Sequence, residues 1–177
     1  MKRYALSAIG RDEPGMVATL TGKLYDHGCN IEDSSMTRLE DEFAIILIMS
    51  MEEEKGAALT ADLAGVAKKT GLTINLKEIG AEEEAGPESN YIITLHGADT
   101  TGIVCKTTGL LSDMEINITD LQTKRTHGEG ENIYIMLLEI FVPEGSRIEK
   151  LKESLTALSA ELDVTIKIKP LEAYDPL

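Results

Sequence analysis

Two short stretches place an aspartate among closely spaced glycines just ahead of an apolar helical pattern: Gly10-Arg11-Asp12-Glu13-Pro14-Gly15 and Gly97-Ala98-Asp99-Thr100-Thr101-Gly102. The G-x-D-x-x-G spacing predicts a turn that opens into a helix N-terminus. Free N–H groups at such an end, with the helix dipole behind them, favour an anion such as a carboxylate. An unneutralised aspartate in the same turn favours a cation. A ligand carrying both charges close together, an amino acid, suits this combination. The same residues have a plainer explanation: aspartate before a helix is a routine N-cap, Pro14 a routine first-turn residue, and glycine serves tight turns whatever the function. Asn30 and Asn117, each at the junction from helix to strand, can likewise be turn residues that tolerate left-handed geometry.

What singles these residues out is that they recur. Tyr91 laid onto Tyr4, an offset of 87 positions, brings Gly10 onto Gly97, Asp12 onto Asp99, Gly15 onto Gly102 and Val17 onto Val104 without a gap. The identities continue through Thr21 and Thr108, Gly22 and Gly109, Leu24 and Leu111, Asn30 and Asn117, Asp33 and Asp120, to Arg38 and Arg125. Self-similarity at a fixed offset defines the folding unit, so the chain reads as one small domain present twice.

Each copy supplies the elements that must hold the turn. Tyr4 to Ile9 and Tyr91 to Leu95 alternate as strands that end at Gly10 or Gly97. A helix follows, with Val17, Leu20 and Leu24 expected on its inner face and Val104 and Leu111 in matching places. Gly28 is a natural left-handed stop, whereas Glu115 in the second copy requires a different one. Ile31 to Arg38 and Phe43 to Met51 form a hairpin across Leu39 to Glu42, with Phe43 to Met51 a buried central strand. The second hairpin joins Ile116 to Arg125 with Ile133 to Val142 through a tip containing Gly128 and Gly130. A second helix spans Gly56 to Thr70, with Leu59, Leu63 and Val66 inward and Gly71 ending it. Its counterpart opens on a Ser146/Glu149 capping box and carries Leu151, Leu155, Leu158 and Leu162 as its stripe. Leu72 to Ile79 and Val164 to Ile168 close the copies. The order β-α-β-β-α-β is the ferredoxin-like plan, an antiparallel four-stranded sheet with two helices on one face, in an α+β class. Residues 1–80 and 90–177 are the expected domains, and 81–89, with Glu82, Glu83, Glu84, Gly86 and Pro87, the expected linker.

Composition narrows the function. With 31 acidic and 17 basic residues the formal charge is −14, which repels nucleic-acid backbones, and at 4% aromatic with no Trp the sheet lacks the stacking residues of an RNA-binding surface. No apolar stretch resembles a signal peptide or reaches the ~18 residues of a membrane span; a cytoplasmic location is expected. Cys29 and Cys105 occupy non-equivalent places without metal-ligand spacing and are expected to be buried thiols, and no metal or other cofactor is expected. A coherent nucleophile and base pair is missing.

The phrases Asp12-Glu-Pro-Gly-Met-Val and Asp99-Thr-Thr-Gly-Ile-Val, each followed after one helix by Asn30-Ile or Asn117-Ile, resemble ACT domains, small-molecule-sensing regulatory modules. Two such domains and little else is similar to the glycine cleavage system transcriptional repressor family. The resemblance implies that the two domains join side by side into an eight-stranded sheet and hold an amino acid at the seam. It implies one ligand-binding set of Asp12, Glu13 and Gly15 with Asn117, and a mirror set of Asp99, Thr100 and Gly102 with Asn30. It also implies no catalysis and a protein partner, such as a transcriptional activator, in place of direct nucleic-acid or membrane contact. A homodimer of the tandem chain is compatible with it. Arg11 against Ala98, Pro14 against Thr101 and Ile9 against His96 make non-equivalent pockets the expectation. The competing class is a small ferredoxin-like hydrolase of the acylphosphatase type, which would use Arg11 and Asn30.

Overall fold

Alternation of Tyr4, Leu6 and Ala8 with Ser7 and Ile9 is what a half-buried strand requires, and the computed structural model of the chain begins with that strand. The structure describes residues 1–80, 86–127, 132–143 and 147–171; the expected features at Glu82, Glu83, Glu84, Gly128, Gly130 and Ser146 lie outside these. The chain divides into two compact units, Met1–Glu84 and Ala85–Leu177.

The first unit runs β1 (Lys2–Arg11), α1 (Met16–Asp26), β2 (Asn30–Leu39), β3 (Glu42–Met51), a single 3-10 turn at Glu53–Lys55, α2 (Gly56–Thr70) and β4 (Thr73–Ile79). The second runs β5 (Tyr91–Ala98), α3 (Ile103–Asp113), β6 (Asn117–His127), β7 (Asn132–Phe141), α4 (Arg147–Leu162) and β8 (Val164–Pro170). The sheets have the orders β2-β3-β1-β4 and β6-β7-β5-β8, with every neighbouring pair antiparallel. Each unit is therefore a ferredoxin-like βαββαβ domain with its own core. In the first, Leu6, Phe43, Leu47 and Met49 from the sheet pack with Leu20, Leu24, Leu59 and Leu63 from the helices. In the second, Ile93, Leu95, Met136 and Leu138 pack with Leu111, Leu151, Leu155 and Leu158. Both helices of a unit share one cluster with one sheet face, so they cover that face alone.

Several local expectations need correction. The inner stripe of α1 is Met16, Leu20 and Leu24, and Val17 is 38% exposed; a spacing of i, i+4, i+8 leaves Val17 at the rim of the stripe. In α3 the stripe is Ile103, Thr107 and Leu111, with Val104 only partly buried. Thr107 is fully buried because its hydroxyl donates to the Ile103 carbonyl at 2.8 Å, which removes the penalty of an unpaired polar group. β3 lies inside its sheet, but helices cover only one of its faces, so Ile46 on the other is 56% exposed. Cys29 is half-buried and Cys105 exposed, in place of two buried thiols.

The helix stops show how a backbone geometry can outlast its favoured residue. Gly28 takes φ 67°, its N–H bonding to the Tyr25 carbonyl and the Cys29 N–H to that of Leu24. Glu115 does the same at φ 55°, its N–H bonding to Ser112 and the Ile116 N–H to Leu111. The two stops are equivalent, contrary to expectation; glutamate accepts a left-handed conformation that costs it roughly 1–2 kcal/mol. Gly71 ends α2 at φ 73°, as expected, and Asp163 follows α4 at φ 53°.

The recurring glycines answer to different constraints. A Cβ on Gly97 would lie 2.6 Å from the Val164 Cγ1 and 3.0 Å from its Cα, whereas one on Gly109, within α3, would meet nothing within 4 Å. Gly97→Ala should therefore destabilise the second unit by about 1–3 kcal/mol through overpacking, and Gly109→Ala should stabilise it by up to about 1 kcal/mol. Urea unfolding of the two variants, followed by circular dichroism, reads both signs.

Candidate functional site

Between β1 and α1 the chain must leave the sheet, reverse and start a helix within four residues, 12–15. Gly15 makes this reversal at φ 90° and Gly102 at φ 99°, values open to glycine and costly for other residues. These glycines are the N-caps: the Thr19 N–H bonds to the Gly15 carbonyl at 2.8 Å and the Lys106 N–H to that of Gly102 at 2.9 Å. Neither helix start has a side-chain cap. Asp12 and Asp99 are thus not the N-caps that local sequence suggested, and Pro14 precedes the helix instead of lying in its first turn.

The aspartates turn the other way. The Asp12 Oδ2 is 3.4 Å from the Arg38 Nη1, and the Asp99 Oδ2 is 2.6 Å from the Arg125 Nη2. The strand register explains the meeting. Arg38 lies opposite Phe43, which lies opposite Gly10, and Arg125 lies opposite Tyr134, which lies opposite Gly97. Directly opposed residues share a sheet face, so each arginine stands on the helix side, at the end of its edge strand, level with the loop. In the first unit the Asp12 N–H also bonds to the Asp41 carbonyl in the β2–β3 turn, at 2.7 Å. Neither aspartate is the unneutralised charge expected from sequence. Arg38 and Arg125 were already visible as matched residues, but their role depends on a register that local sequence does not display.

The asparagines lie far from the loops of their own units. Asn30 lies opposite Ser50 and, through it, Arg3, while Asn117 lies opposite Phe141 at the corresponding end of the second sheet. From Arg3 to Arg11 β1 advances eight residue steps, about 26 Å at ~3.3 Å each. Asn30 and Asp12 of one unit therefore cannot grip one small ligand, and neither can Asn30 and Arg11, the pair the hydrolase alternative needs. Both asparagines are exposed strand residues without left-handed geometry, which corrects the turn expectation. Asp12, Glu13, Gly15, Asp99 and Thr100 are exposed and Gly102 is half-buried.

Around these residues the two units differ. Beside Asn30 a β-bulge at Ile31/Asp33 admits Glu32, which accepts from the Arg3 Nε at 2.8 Å; that bond, reinforced by Ser50, holds the Glu32 carboxyl below its usual range. In the second unit Asn90 and Thr119 occupy the matching places. A groove of about 490 Å³ lies between α1 and the start of β2, lined by Ala18, Thr21, Gly22, Tyr25, Cys29 and Ile31. In the second unit a groove of about 560 Å³ runs between α3 and α4 past Lys106, Asp113, Lys150 and Glu161. Neither contains the loop residues. Burial pushes the Cys29 thiol up from its ordinary value. Among the described residues no group of His, Cys, Asp and Glu could hold a metal ion, and no helix is long and apolar enough to cross a membrane.

Comparison with known proteins agrees with this duplicated geometry. The ACT domain family profile matches residues 4–77 and again 90–169. The glycine cleavage system transcriptional repressor of Escherichia coli is 25% identical over 160 residues, spanning 89% of this chain and 84% of that protein. A solved structure of an unknown protein from Galdieria sulphuraria superposes with a TM-score of 0.82 at 22% identity, covering 97% of this chain and 99% of the other. A solved structure bearing the repressor's name superposes with a TM-score of 0.72 at 20% identity, covering 97% and 98%; likenesses at this identity concern the fold.

The Asp–Arg pairs are exposed, the arginine side chains at 65% and 57% and the aspartates at 34% and 23%. Such pairs contribute only ~0–1 kcal/mol. Arg125→Gln is accordingly expected to lower the unfolding free energy by less than about 1 kcal/mol in urea titrations, leaving the fold intact.

Proposed function

Because this chain belongs to the ACT domain family, with two copies in tandem, we propose that it is a non-catalytic sensor that binds an amino acid where its two domains meet and signals occupancy to a protein partner. One observation carries this: in each unit the loop and the asparagine occupy opposite ends of the same sheet. Groups so separated serve one ligand only when each works with its counterpart from the other unit. Antiparallel apposition of the edge strands β2 and β6 would do this, bringing Asn117 to Asp12, Glu13 and Gly15 while bringing Asn30 to Asp99, Thr100 and Gly102. The exposure of β2 along all ten residues supports an edge that is free to join another. The eight-stranded sheet formed this way is part of the proposal.

Ligand at such a seam would favour one arrangement of the units over another. A differential affinity worth ~1–3 kcal/mol is enough for regulation. The relative's name points to transcriptional control of glycine cleavage. With a formal charge of −14, this chain would act on transcription through a partner protein and not by gripping DNA. The acidic β2–β3 tip, Glu40-Asp41-Glu42, is a candidate contact for that partner.

A thermal-shift panel of the common amino acids on wild type, Asp12→Ala and Asn117→Ala tests the proposal. One amino acid should raise the wild-type melting temperature by several degrees at concentrations well above its Kd, and both substitutions, which act on the same one of the two sites, should reduce the shift. No shift with any amino acid would refute it.

A further inference from the structure

We propose that Arg38 and Arg125 are the carboxylate-binding residues of these sites, and that each works as one zwitterionic receptor with its aspartate; this rests on the amino-acid-sensing role proposed above. The Asp12–Arg38 and Asp99–Arg125 pairs occur at the same register position of both units, on the helix side of the sheet and level with the loop. An aspartate already facing a guanidinium is a poor site for a lone cation. The pair as a whole is different: it offers one negative and one positive charge side by side, the complement of an α-amino acid lying across it. The ligand ammonium then meets Asp12 or Asp99, and the ligand carboxylate meets Arg38 or Arg125.

The arginines can take that second partner. A guanidinium has five donors in a fixed fork, and one carboxylate occupies at most two of them. Arg38 and Arg125 have no other ion-pair partner among the described residues, and their side chains are 65% and 57% exposed. Exposed pairs of this kind add little to stability, so holding the fold together does not account for two of them at the mouth of the loops. The arrangement also sets ligand class. An amine leaves the arginine's free donors unmatched, a simple carboxylic acid leaves the aspartate unmatched, and only a group bearing both charges satisfies the pair.

The test pairs a protein change with a ligand change. Calorimetry would measure binding of the amino acid selected by the thermal-shift panel, and of its methyl ester, to wild type and to Arg38→Gln/Arg125→Gln. Wild type should prefer the free amino acid by about tenfold or more, the usual worth of a hydrogen bond to a charged group. The double variant should bind amino acid and ester alike, with an unliganded melting temperature close to that of wild type. Arg38→Lys/Arg125→Lys, which keeps the charge without the fork, should retain part of the preference and serves as the readout if the glutamine variant folds poorly. An undiminished preference in both variants would overturn the assignment of the arginines while leaving the sensing role intact, provided Asn117→Ala still weakens binding. Absence of any amino-acid binding to wild type would overturn both.

Discussion

The register of the two sheets is the constraint from which the rest follows. β1 and β3 fix the height of every residue on the edge strand. That height puts Arg38 beside the β1–α1 loop and Asn30 at the far end, with Arg125 and Asn117 in the same relation. A one-residue slip would turn the arginine to the open face of the sheet and expose Phe43 or Tyr134 in its row. The cores oppose such a slip, since Leu6, Phe43, Leu47 and Met49 are each at most 2% exposed. Packing in the core thus positions polar groups on a surface that itself contributes little to stability.

The loop adds a second device, a glycine N-cap in the left-handed region. It starts the helix without a capping side chain and leaves Asp12 and Asp99 to face their arginines. A serine or aspartate cap would add only about a few tenths of a kcal/mol over glycine, and at φ 90° and 99° it would be strained, so these helix starts give up little by having no capping side chain. Duplicated polar groups without a structural return are where a binding role is expected to lie.

Periodic elements were legible from sequence: α2 runs from Gly56 to Thr70 with Leu59, Leu63 and Val66 buried, as the i, i+4, i+7 spacing indicates. Repetition made the topology legible as well, because one plan had to satisfy both copies. Features set by tertiary context were not. Glu115 adopts a glycine's conformation because the chain on either side is held as it is around Gly28. Val17 yields its inward place to Met16, since Met16, Leu20 and Leu24 at i, i+4 and i+8 make a stripe that leaves Val17 at its rim. The aspartates looked like caps because the partner that draws them away lies 26 residues further along, across a strand pairing. The residues of the candidate site were therefore visible as recurrences, while the interaction that gives them a chemical character was not.

The central claim, that the loop of one unit and the asparagine of the other serve a single ligand, is most directly tested by double-mutant cycles on amino-acid affinity measured by calorimetry. Asp12→Ala combined with Asn117→Ala should depart from additivity by ~0.5 kcal/mol or more, whereas Asp12→Ala combined with Asn30→Ala should be additive within ~0.5 kcal/mol. Additivity of the first pair together with coupling of the second would contradict the account.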